Sequence, residues 1–217
     1  MRPSNRVAVV VVARSYNSVM GTDEHLVKSW DSYNKWVARQ PGATKKVHPD
    51  QDIAIIELVD AVDKYIKPAI LPEPMGGMSV LDFSGVEVVL PGMKLSEDTT
   101  YDLQVSEHNL VVMKKLKCLE RLSDDGLGGT PIWKEVRRGS VLCTQGPPTL
   151  SQNDAGGAIL TNGNVVIGVN RLIDSRKWEN YRINFHINIS LYMDFIISKI
   201  GCKGLKLSSY NECALRR

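Results

Sequence analysis

The amino-acid sequence predicts an all-β protein of short antiparallel strands that closes with one α-helix. Short apolar segments recur at fairly even spacing with Gly, Pro and Asn between them, an Asn-Gly pair joins two of them, and the stretch Arg182–Ser190 alternates strictly between apolar and polar residues. Regular spacing of short strands and turns is the pattern of a barrel or sandwich, because each strand can bury only one short face.

In chain order, Val7–Val12 (VAVVVV), Ile53–Leu58 (IAIIEL), Val86–Leu90 (VEVVL), Leu110–Met113 and Val165–Val169 read as strands. Thr161-Asn162-Gly163-Asn164 follows Ala158–Leu160 and reads as a two-residue hairpin, since Asn-Gly accepts the positive φ of a tight turn. In RINFHINIS, Ile183, Phe185, Ile187 and Ile189 share one face and Arg182, Asn184, His186, Asn188 and Ser190 the other, which predicts one core face and one outside it. The terminal helix is placed at Leu191–Ile200: Ser190 can cap it, Leu191, Phe195, Ile196 and Ile200 form its stripe, and Gly201 suits a left-handed stop. The tail from Cys202 is polar and aperiodic, and Leu71–Gly77 is the candidate linker. The expected organisation is a first part over 1–75, a second over 76–200 and a tail over 201–217.

The chain has 217 residues, 43% of them hydrophobic, enough for one large core or two small ones. Lys and Arg total 27 against 24 Asp and Glu, and the basic pairs Lys45-Lys46, Lys114-Lys115, Arg137-Arg138 and Arg216-Arg217 are dispersed along the sequence. Phosphate binding needs a concentrated stripe, so nucleic acid is not the expected partner. The longest apolar run, Val7–Ala13, is too short to span a bilayer, so no membrane partner is expected, and no signal peptide is visible. Cys118, Cys143, Cys202 and Cys213 form no Cys-x-x-Cys pair and have no nearby histidines, which argues against a metal site and leaves two disulfides open. No cofactor motif is present. Disulfides would place the chain in an oxidising compartment, at odds with the missing leader.

The order of four segments resembles the chymotrypsin/trypsin-like serine protease family. In HPDQDIAIIEL (48–58) Asp52 matches the triad aspartate; IKPAILP (66–72) resembles the start of the crossover between barrels; SVLCTQG (140–146) and NDAGG (153–157) resemble the Cys-containing strand and nucleophile loop; RINFHINISLYMDFI resembles the closing strand and terminal helix. The resemblance implies two packed antiparallel six-stranded barrels. RVAVVVVARSYNSVMG (6–21) looks like the strand that follows the catalytic histidine, which makes the first barrel incomplete at its N-terminus. Aligned instead on the histidine motif, Val10–Tyr16 puts Arg14 or Ser15 where the histidine belongs.

By the same resemblance Ala155 stands in the nucleophile's place, the N–H groups of Asn153 and Ala155 are what remains of the oxyanion hole, and Thr149 lies at the pocket floor. Cys118 and Cys143 suit one family disulfide. A Cys202–Cys213 bridge would close a small local loop in the tail. A methyl group has no lone pair, and loss of the serine or histidine from such a triad costs about 10⁶ in turnover. Ser151 falls four residues before Ala155, on the pocket wall. His25, His48, His108 and His186 read as surface or hydrogen-bonded structural residues. Asp154 matches the carboxylate that pairs with the ammonium group of an activated family member; no matching cleavage site is seen, so it is expected to be solvated or hydrogen-bonded to backbone. Asn188-Ile189-Ser190 is a glycosylation sequon on the expected outer face. The expected function is that of a secreted, non-catalytic serine protease homologue engaging proteins or peptides such as a protease, an inhibitor or a substrate-like segment. The alternatives are an active serine endopeptidase with an unrecognised nucleophile and a truncated fragment.

Overall fold

The computed structural model describes residues 11–13, 23–40, 53–61, 68–72, 82–95, 103–146, 150, 154–171 and 183–200. The chain forms two compact units, Met1–Pro68 and Ala69–Arg217. The division precedes the predicted linker, because Ile70 already bonds to the second unit: its N–H donates to Asn164 O at 2.8 Å and its carbonyl accepts from Val166 N at 2.8 Å.

In the first unit β1 (Val11–Ala13) pairs antiparallel with β2 (Asp23–His25), and β3 (Val27–Ser32) with β4 (Ala54–Leu58). Helix α1 (Tyr33–Ala38) follows β3 directly because Ser32 is extended and its hydroxyl accepts from Lys35 N, the usual N-cap device. On the β3–β4 ribbon Lys28 and Ser29 both donate to the Glu57 carboxylate, and these hydrogen bonds hold it below the usual carboxylate range. Trp30 stands opposite Ile56, and the Lys35 ammonium lies 3.8 Å from the Trp30 ring centroid.

The second unit is a closed antiparallel barrel. Its strands are β5 (Glu87–Leu95), β6 (Leu103–Val112), β7 (Val141–Gln145), β8 (Ala158–Thr161), β9 (Val166–Arg171) and β10 (Ile183–Asn188), in the order β10-β7-β6-β5-β8-β9. The register puts Val88 beside Leu110, Val112 beside Thr144, Thr144 beside Asn184, and His186 beside Asn170. Side chains directly opposite in a ladder share a face, so the interior is apolar on one side, with Val88, Leu90, Leu110, Val112 and Ile159, and polar on the other, with Thr144, Asn170, Asn184 and His186.

Outside β7 and β10 lies a helical hairpin, α2 (Lys115–Asp124) and α3 (Pro131–Arg138). Cys118, Leu122, Ile132 and Val136 from the helices pack with Val141, Cys143, Ile183 and Phe185. This second layer corrects the expectation for β10: every residue from Ile183 to Asn188 is buried, the apolar face beneath the helices and the polar face inside the barrel.

Three further expectations are revised. The β8–β9 connection is a three-residue loop, in which Asn164 N donates to Thr161 O, and the positive φ falls on Asn164 at 58°. This is a type I turn followed by a left-handed residue, the common alternative to the tighter Asn-Gly turn. The terminal helix begins with a 3₁₀ turn at Ile189–Tyr192 before α4 (Met193–Ile200), and its cap is Asn188, whose side chain accepts from Ser190 N. The helices α1, α2 and α3 were not predicted.

Cys118 and Cys143 form a disulfide that ties α2 to β7. Among the described residues no helix is long and apolar enough to cross a membrane.

Candidate functional site

The turn Asp154–Gly157 connects the loop after β7 to β8. Ala155 at its tip is exposed, and Gly156 holds φ +85°, a conformation costly for a side chain with Cβ. Gly157 allows close approach: an added Cβ would lie 3.0 Å from Asn170 Nδ2 and 3.1 Å from Asp154 O. The Gly-Gly pair thus meets two different needs of one turn, a positive φ at Gly156 and a close approach at Gly157.

Asn170, buried in β9, clamps this turn. Its carbonyl accepts from Gly156 N at 2.9 Å, its N–H donates to Gly157 O at 2.7 Å, and its Nδ2 donates to Asp154 O at 3.0 Å. Asp154 O also accepts from Gly157 N at 3.1 Å. Since Nδ2 faces a carbonyl, Oδ1 is the amide atom turned to His186, 2.9 Å from its Nδ1. Nδ1 therefore carries the proton, and Nε2, 2.8 Å from Thr144 Oγ1, accepts from that hydroxyl. Burial alone pushes the His186 pKa down to about 3. The chain Thr144–His186–Asn170–Asp154 leads from β7 through the barrel interior to the turn that carries Ala155. Both imidazole nitrogens are engaged, so His186 is a structural residue, as expected of it, and not a base for the turn.

A second tie joins the loop to β10: Leu150 N donates to Asn184 Oδ1 at 2.8 Å. On the other side of the barrel wall Arg171, next to Asn170, forms an ion pair with Glu135 of α3, whose side chain is 1% exposed. Nothing in the local sequence signals this pair, whose members are 36 residues apart.

Ala155, Asp154, Gly156, Gly157, Asn170 and His186 are thus brought together. Asp154 is half-buried in the turn. Asp52, His48, Thr149, Ser151, Asn153, Cys202 and Cys213 lie outside the described residues, and His25 lies on β2. His108, on β6 opposite Leu90, is remote from the turn in sequence and in the ladder. The glycan expected on Asn188 is corrected: Asn188 is fully buried, and its Nδ2 donates to Gly139 O at 3.1 Å, so the folded position has no room for a sugar.

The family model described as Trypsin matches residues 7–196. The chain belongs to the trypsin family. Among solved structures, a collagenase titled HL collagenase is 21% identical, with a TM-score of 0.63 over 90% of this chain and 77% of that one. The scabies mite inactivated protease paralogue S-I1 is 20% identical, with a TM-score of 0.54 over 82% and 68% of the two chains. The paralogue S-D1 from the same mite is 18% identical, with a TM-score of 0.56 over 87% and 73%. No curated protein matches by sequence. At these identities the structural likenesses show the fold alone: a trypsin-like, mostly β architecture with a closed six-stranded barrel and a C-terminal helix.

Proposed function

We propose that this trypsin-family chain is a non-catalytic homologue that acts outside the cell by engaging a protein or peptide. The observation that carries the reading is the methyl group of Ala155, exposed at the tip of the turn that the family motif assigns to the nucleophile. An acyl-enzyme needs an oxygen or sulfur nucleophile at that point and a base within hydrogen-bond reach. Among the described residues the one imidazole tied to this turn, His186, is buried and committed to Thr144 and Asn170. Two solved neighbours bear titles that call them inactivated proteases, in keeping with this reading. The buried Cys118–Cys143 disulfide fits an oxidising, extracellular setting.

The test is incubation with a fluorophosphonate probe beside an active trypsin-like control. No covalent adduct is expected on intact-mass analysis of this chain. Stoichiometric labelling of any serine would overturn the proposal in favour of an active endopeptidase.

A further inference from the structure

We propose that the Lys114–Lys117 end of α2 and the Arg137–Arg138 end of α3 form one docking surface for a linear sulfated polysaccharide. In sequence the two basic clusters are separate; the fold joins them. The helices run antiparallel, since Trp133 Nε1 donates to Ser123 Oγ at one end of the hairpin while Lys115, Cys118, Val136 and Arg138 line one cleft at the other. Lys114, Lys115, Lys117, Arg137 and Arg138 are all exposed there, with the exposed Glu120 in the middle of α2 and the acidic residues Asp124 and Asp125 at its opposite end.

Two features set this surface apart from ordinary solvated charge. First, α2 begins with no acidic residue in its first turn and no side-chain cap, although Lys114, Lys115 and Lys117 crowd the end where the helix dipole disfavours cations. Second, Lys115 and Arg138 stand on one concave cleft of about 180 Å³, whose walls also include Asp82, Ser84, Gly139 and Asn188. The Asp82 carboxylate is the acidic group there, and it accepts from both the N–H and hydroxyl of Ser84. Sulfate groups spaced along a sugar chain complement such a row of cations by charge alone. A single-stranded nucleic acid is less well matched, because its bases stack on open aromatic faces and the one aromatic ring of the hairpin, Trp133, carries the Arg137 guanidinium 5.4 Å from its centroid. A membrane is less well matched too, since Leu116 is the one large apolar side chain exposed on this hairpin.

The experiment measures binding of the full chain to immobilised heparin as a function of salt. Wild type is expected to stay bound at physiological ionic strength, about 0.15 M. The variant Lys114→Ala/Lys115→Ala/Arg138→Ala is expected to bind at least about tenfold more weakly, with a log Kd against log salt slope lower by about two to three, one counterion per lost contact. A charge-keeping variant, Lys114→Arg/Lys115→Arg/Arg138→Lys, retains binding, and thermal melts verify that each variant folds. Equal weakening by Lys28→Ala/Lys35→Ala/Lys199→Ala, three cations outside the hairpin, would overturn the proposal, as it would show bulk charge at work. Competition by oligothymidylate of equal charge as effective as by heparin would overturn the assignment to a sulfated sugar.

Discussion

Removal of the Asn170 side chain tests the claim that the turn around Ala155 is set from inside the barrel. In Asn170→Ala two hydrogen bonds disappear, the part-buried Nδ2 to Asp154 O and the buried His186 Nδ1–H to Oδ1. Asp154 O keeps its bond from Gly157 N, so that loss costs about 1 kcal/mol. The imidazole N–H is left buried without an acceptor, a penalty of about 1–3 kcal/mol. The sum, about 3 kcal/mol, corresponds to a drop in Tm of roughly 10 °C for a unit of this size. Urea denaturation measures the stability. Amide hydrogen exchange at Gly156 and Gly157 measures the turn, and protection there is expected to fall more than in β5 and β6. A loss below about 1 kcal/mol with exchange at both glycines unchanged would refute the reasoning.

Three other outcomes follow from the same geometry. The folded His186 pKa, about 3, lies below its ordinary 6.5, so the neutral imidazole's contribution is complete above pH 6.5 and is lost as pH falls toward 3; denaturation at pH 4–7 should show a slope approaching about 1.4 kcal/mol per pH unit that His186→Gln removes. Arg171→Ala takes the guanidinium away from the buried Glu135 carboxylate and should cost about 3 kcal/mol, whereas the double variant Arg171→Met/Glu135→Gln should cost clearly less, a comparison read from equilibrium unfolding. Expressed in a secretory host, the chain should show no mass change at Asn188 on glycosidase treatment, and Asn188→Gln should lose about 1–2 kcal/mol because the amide bridges Gly139 O and Ser190 N.

The strands were legible where period and burial coincide. Val165–Val169 matches β9 to within two residues, Val86–Leu90 marks the start of β5, which runs on to Leu95, and the alternation of Arg182–Ser190 marks β10 correctly. That alternation misled on burial, because polar residues inside a barrel read as solvent-facing unless their partners are known, and Thr144 and Asn170 lie 42 and 16 residues from His186. The hairpin α2–α3 was missed for another reason. Its buried stripe includes Glu135, which breaks the apolar pattern, although Pro131 at the first turn and Gly139 in a left-handed stop at φ 79° were start and stop signals in plain view. At the site, the Gly-Gly pair and Ala155 were visible in sequence. The clamp that holds them was not, since it depends on strand register.

Closure of the six-stranded ladder β10-β7-β6-β5-β8-β9 gives every strand two bonded neighbours, with β5 joined to β8 at Val88 and Val89 and β6 to β7 at Val111 and Val112. Where those two short seams hold, the ring shields its strand edges from another chain's backbone. Opening either seam would turn the ring into a sheet with two edges, so the barrel on which the α2–α3 hairpin packs hangs on these few pairs.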